Sequence, residues 1–172
     1  MRDMRILVPI LCILMIAGCV GTQTYERGGT MDVNSSAFVE GQPIPAKYSC
    51  DGENVNPPLS WVVPDGTVSF AMIVDDPDAP VGTFVHWVAY KIPGDVSAVG
   101  ENEAPGIEGK NDFGKIGYGG PCPPGGTHRY HFKIYALDTD LDLSEGATKK
   151  DLLDAMEGHI IDEGSLMGTY AR

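Results

Sequence analysis

The sequence predicts a mainly β protein, an antiparallel β-sandwich with one helix near the C-terminus and otherwise few short helices. Three observations predict it. First, three apolar runs of strand length, "SFAMIVDD" from Ser69, "TFVHWVAYKI" from Thr83 and "HRYHFKIYAL" from His128, are rich in β-branched and aromatic residues. Second, the turn signals "DGENVNPP", "VPDG", "IPGD" and "GIEGKNDFG" punctuate the chain. Third, a single segment carries a helix signal. Thr148-Lys149-Lys150-Asp151 offers an N-cap with an acidic residue three positions on, before "LLDAMEGHII" with apolar Leu152, Leu153, Met156 and Ile160. Gly158 and Gly164 weaken that helix.

The chain has 172 residues and opens Met1-Arg2-Asp3-Met4-Arg5, then runs apolar from Ile6 to Ile16 and reaches Ala17-Gly18-Cys19. A basic start, an apolar core of about 7–15 residues and small residues at a cut site describe a secretory signal. The run is shorter than the roughly 20 apolar residues of a membrane span. Ile-Ala-Gly-Cys is more specific: it resembles the lipobox of prokaryotic lipoproteins, which are cut before a cysteine that then carries the lipid. An ordinary secretory signal or an uncleaved anchor is the alternative. The expected organisation is a signal over residues 1–18 and a flexible tether over 19–30, containing "GTQTYERGGT". A folded domain follows over 31–172, held as a lipoprotein through Cys19 at the outer face of the cytoplasmic membrane or on its periplasmic side.

Charge narrows the partners. Losing Arg2, Arg5 and Asp3 with the signal takes 12 basic against 24 acidic residues to 10 against 23, a net charge of −13. Such a chain is repelled by nucleic acid and by anionic lipid surfaces, so an anion site must work through a few local donors. Of four cysteines, Cys12 leaves with the signal and Cys19 takes the lipid. Cys50 and Cys122 remain, either as a disulfide of an exported protein or as two small buried thiols.

Strand alternation sorts the polar residues. His128 and Tyr130 share a face with Phe132, Ile134 and Ala136, while Arg129, His131 and Lys133 take the other. By the same rule His86 sits with Phe84, Val88 and Tyr90. The turn "DDPDAP" adds Asp76 and Asp78 after the first strand. A carboxylate, two imidazoles and a phenol at strand ends can bind a small anion, the carboxylate orienting one histidine. The loop "GYGGPCPPGG" that delivers His128 adds a glycine-rich backbone. Other chemistries lack their signatures. There is no His-x-His or Cys-x-x-Cys for a metal, no Gly-x-Ser-x-Gly elbow, and no Gly-Lys-Ser/Thr phosphate loop.

Together "SCDGENVNPPLSW", "DDPDAP", "FVHWVAYKIPG" and "GYGGPCPPGGTHRYHFKIYALD" resemble the phosphatidylethanolamine-binding protein family, from about Asn34 to Tyr170. The bacterial and archaeal branch of Raf-kinase-inhibitor-like proteins is the nearer one. The resemblance implies a Greek-key antiparallel β-fold and a pocket for phosphate, acetate or a phospholipid headgroup. Carried across by motif, its ligand-binding residues are Asp76, Pro80, His86, Gly120, Pro121, His128 and Tyr130, with Arg129 structural. The loop reads Pro-Cys-Pro-Pro where animal relatives read a plainer Pro-Pro, so kinase inhibition is not carried over.

The expected function is therefore non-enzymatic, cofactor-free and metal-free binding of a small anion or phospholipid headgroup. The alternative is a protein-interaction or inhibitor module, directed at a protease or signalling enzyme, with the pocket as a regulatory site. A phosphoesterase using the Asp/His pair ranks last, because no nucleophile motif accompanies it.

Overall fold

A computed structural model describes residues 31–172. The signal, the tether and the lipidation of Cys19 lie outside the described residues. Among the described residues, eight strands form two antiparallel sheets. The smaller has the order β1 (Val33–Asn34), β2 (Leu59–Trp61), β5 (Ala98–Val99). The larger has the order β6 (Ile107–Glu108), β4 (Phe84–Pro93), β3 (Ser69–Asp76), β7 (Thr127–Leu137), β8 (Ile160–Ala171). The helix α1 spans Lys149–Met156, and a 3-10 turn covers Ala46–Tyr48.

The larger sheet is covered on both faces, which is why all eight residues of β3 are buried. On one face Phe70, Met72, Trp87, Phe132 and Ile134 meet Leu59 and Trp61 of the small sheet. On the other, Ile73, Val88, Tyr90 and Leu137 meet Leu152 and Met156 of α1. Each fully buried side chain of this kind contributes roughly 1.5–3 kcal/mol.

The helix start is as expected. The Thr148 hydroxyl accepts from the Asp151 amide, and the Asp151 carboxylate accepts from the Thr148 amide. Its end is not. The expected run continued through Ile160, but α1 stops at Met156, Gly158 turns the chain at φ +81°, and Ile160 opens β8. The last element is thus a twelve-residue strand rather than a helix. Its Gly164 is required by packing: a Cβ there would collide with the Met31 carbonyl.

That collision marks a strap. The Met31 amide donates to Glu163 O (2.9 Å), the Gly41 amide to Met167 O (2.8 Å) and the Ile44 amide to Thr169 O (2.7 Å). The outer edge of β8 is thereby paired along its length by the N-terminal segment of the domain.

Alternation holds on β7 but fails on β4. Val74 pairs with Trp87 and Asp75 with Val85, leaving His86 as an extra residue in a bulge. His86 therefore does not lie with Val88 and Tyr90, which face α1. Its ring sits 5.1 Å from that of Tyr130, on the side of the small sheet. The bulge brings the two strands' polar residues to one place.

Candidate functional site

Asp76 ends β3, and both its carboxylate oxygens are engaged. Oδ1 accepts from the Asp78 amide (2.8 Å), closing the turn that follows, and Oδ2 meets His128 Nδ1 at 2.7 Å. Asp76 and His128 are buried, at 3% and 7% exposure. The turn is fixed from outside as well. Arg129, on the opposite face of β7, grips Asp78 with Nε (2.9 Å) and Nη2 (2.6 Å), and its amide adds a third bond (3.0 Å). That fork, a structural role as expected, holds the Asp78 carboxyl well below the usual carboxylate range.

His86 is 3% exposed, and its Nδ1 lies 2.7 Å from the Gly119 carbonyl. Phe84, Phe113 and Tyr130 pack round its ring at 5.2, 5.3 and 5.1 Å between centroids. Burial lowers its proton affinity, opposed by the Gly119 carbonyl and by the charge of Asp76. Burial also pushes the Tyr130 phenol upward, and the nearby Asp76 charge adds to this. Tyr130 Oη is sealed from solvent and has no hydrogen-bond partner among the described residues.

Gly120 and Pro121 are buried against a second wall. The Gly120 amide donates to Asn54 Oδ1 (2.8 Å), and the Gly119 amide donates to His86 O (2.9 Å). These two N–H groups are thus already used inside the protein. Gly120 is glycine because a Cβ would strike the Tyr48 carbonyl and Ser49. The disulfide Cys50–Cys122 closes the same contact, resolving the two readings of those cysteines in favour of the bond. The Cys50 amide also donates to Pro121 O (3.0 Å), and Tyr118 Oη donates to Tyr48 O (2.9 Å). The glycine- and proline-rich loop is locked onto the 3-10 turn, and from there its Gly119 carbonyl orients His86.

The structure therefore brings together Asp76, His86, His128 and Tyr130, with Gly120 and Pro121 as framework beside them. Pro80 lies exposed on the turn between β3 and β4 and makes none of the hydrogen bonds described above. Sequence reasoning missed Gly119, Asn54, Phe84 and Phe113 as supports of His86 and its loop. Gly119 and Asn54 sit inside motifs already noticed, but bonds to a carbonyl and from a distant amide leave no spacing to read. Among the described residues, no cluster of three or more His, Cys, Asp or Glu side chains is placed to hold a metal ion.

Residues 34–171 match the family model described as phosphatidylethanolamine-binding protein. A UPF0098 protein of Pyrococcus abyssi is 49% identical over 181 positions, covering 98% of this chain and 99% of its own length. One from Aquifex aeolicus is 47% identical, covering 89% and 96%. The fold is similar to the crystal structure of a phosphatidylethanolamine-binding protein homologue of Chlamydia trachomatis. There the TM-score is 0.80 at 45% identity, over 84% of this chain and 99% of that one. It is also similar to Escherichia coli YbcL, described as a new member of the mammalian family. That match has a TM-score of 0.77 at 29% identity, with the same coverage.

Proposed function

The chain belongs to the phosphatidylethanolamine-binding protein family, and we propose that it is an exported, lipid-anchored binding protein for a small oxyanion. The ligand is a phosphate group, free or as a lipid headgroup, held between His86, His128 and Tyr130 with Asp76 as the orienting carboxylate. One observation carries this reading. Two buried imidazoles are each tied down through Nδ1, beside a phenol whose oxygen has no partner. Most buried polar side chains have hydrogen-bond partners, so an unpartnered phenol beside two anchored imidazoles supports a place for a ligand. No catalysis is part of the reading, in which the Asp76 carboxylate is engaged by His128 and the Asp78 amide.

Export and anchoring rest on the Ile-Ala-Gly-Cys sequence, and the Cys50–Cys122 disulfide suits an oxidising compartment. Membrane fractionation of the Cys19→Ala chain tests the anchor, and retention in the membrane fraction would count against it. The pocket is tested by titrating phosphoethanolamine while following amide and imidazole NMR shifts. Shifts clustered on Asp76, Gly120 and both histidines, lost in His86→Ala and His128→Ala, are expected. No movement at millimolar ligand would sink the reading.

A further inference from the structure

We propose that Asn34 is a site of N-linked glycosylation, taking a sugar from a lipid-linked donor outside the cytoplasmic membrane. The inference rests on the export reading above and on nothing in the oxyanion site.

Asn34-Ser35-Ser36 is the chain's sole Asn-x-Ser/Thr triplet with a middle residue other than proline. Such triplets often arise by chance, so what decides is how the fold disposes of the three side chains. Val33 and Asn34 form β1, where Val33 is buried and Asn34 turns outward. Ser35 is half-buried and already used. Its hydroxyl donates to Pro58 O (2.6 Å) and accepts from the Ala37 amide (3.1 Å), fixing the bend that follows the strand. Asn34 and Ser36 are exposed, and neither side chain makes a hydrogen bond among the described residues. The middle residue therefore carries the local structure, while the two positions that a glycosyl transfer reads are left free. Asparagine is also disfavoured in strands, and with no bond to make it has no structural task here.

The surroundings have room for a sugar. β1 is an edge strand of the small sheet, so nothing in that sheet pairs beyond it. A groove of about 560 Å³ opens beside Asn34, floored by buried Val33, Phe38 and Leu166 and flanked by Val39 at 64% exposure. A saccharide joined to Asn34 can lie along this groove, covering Val39 with ring carbons and keeping its hydroxyls in water. It would also blunt the open edge of β1. The groove reaches β8 at Ser165 and Leu166, whereas His128 pairs with Tyr170 farther along that strand, so the glycan leaves the oxyanion site uncovered.

The chemistry is a group transfer. The Asn34 amide nitrogen forms a bond to C1 of a sugar held on a lipid phosphate or pyrophosphate. The bond from C1 to the phosphate oxygen breaks, the lipid phosphate leaves with its electron pair, and the amide gives up one hydrogen as a proton. Ser36 is the second position that the transferring enzyme recognises, a role threonine also fills and alanine does not.

The test is peptide mass mapping of the full chain isolated from the cells that make it, with Asn34→Gln, Ser36→Ala and Ser36→Thr produced in the same cells. The fragment between Arg27 and Lys47 contains Asn34 and is expected to carry added mass in whole sugar increments. That mass should be lost in Asn34→Gln and Ser36→Ala and kept in Ser36→Thr. The same map reads the N-terminus, which separates two kinds of failure. A bare Asn34 in a chain that begins at lipidated Cys19 would overturn the glycan and leave export standing. A bare Asn34 in a chain that keeps Met1 would overturn both. Sugar retained in Ser36→Ala would overturn attachment through this triplet.

Discussion

Asp75 and Asp76 are neighbours on one strand, equally buried at 1% and 3% exposure, yet they do opposite work. Asp75 points to the helix side and is held by two lysines, Lys133 of β7 at 2.9 Å and Lys149 of α1 at 2.5 Å. Asp76 points to the small-sheet side and is held by one imidazole and one backbone amide. One lysine comes from the sheet and the other from the helix, so Asp75 is a clasp between the two. An imidazole bonded through one ring nitrogen keeps a second for a guest, so the Asp76 pair can take part in binding. Depth of burial does not separate a structural carboxylate from a functional one here; the spare ring nitrogen of the partner does.

The comparison is broken most directly by removing each carboxylate in turn. Asp75→Ala leaves two half-buried ammonium groups facing an apolar surface and should cost about 3 kcal/mol of stability in urea unfolding. Phosphate affinity of the folded fraction should not change. If Asp76→Ala proves the more destabilising of the two, the division of labour is wrong. A comparable effect, about 2–4 kcal/mol, is expected for Cys50→Ser, because a bond between residues 72 apart removes much freedom from the unfolded chain. This variant should also weaken ligand binding, since the loop that orients His86 loses its tie, and unchanged affinity would detach the disulfide from the site. The smallest effect concerns pH. The folded protein holds His86 below its ordinary pKa of about 6.5, so the unfolded chain binds the extra proton first. Stability is therefore full above that pH and declines as pH falls through it. His86→Gln should flatten this part of the profile, and a profile left unaltered would assign the decline to another group.

Much of this was legible in the sequence. The strands from Ser69 and His128 follow their apolar runs closely, and the Thr148 cap lies where its side chain and Asp151 require. His128 and Tyr130 fall on the expected face because β7 keeps strict alternation. What failed did so for reasons of tertiary contact. His86 changes face through a bulge whose cause is the pairing with β3, invisible in β4 itself. The strand β8 looked like the tail of a helix because its glycines are chosen for what presses on them, not for propensity. The resemblance gives Gly120 a direct role towards an anion. Its amide is instead bound by Asn54, 66 residues away, a pairing no local pattern records.

The strap along β8 also sets a polarity. Met31, where the described chain begins, is bonded to Glu163 near one end of that strand, whereas His128 pairs with Tyr170 near the other. Seven residues of strand at about 3.3 Å each place some 23 Å between attachment point and site. The chain therefore enters the domain at the end away from the candidate site, so whatever precedes Met31 joins on the side opposite His128.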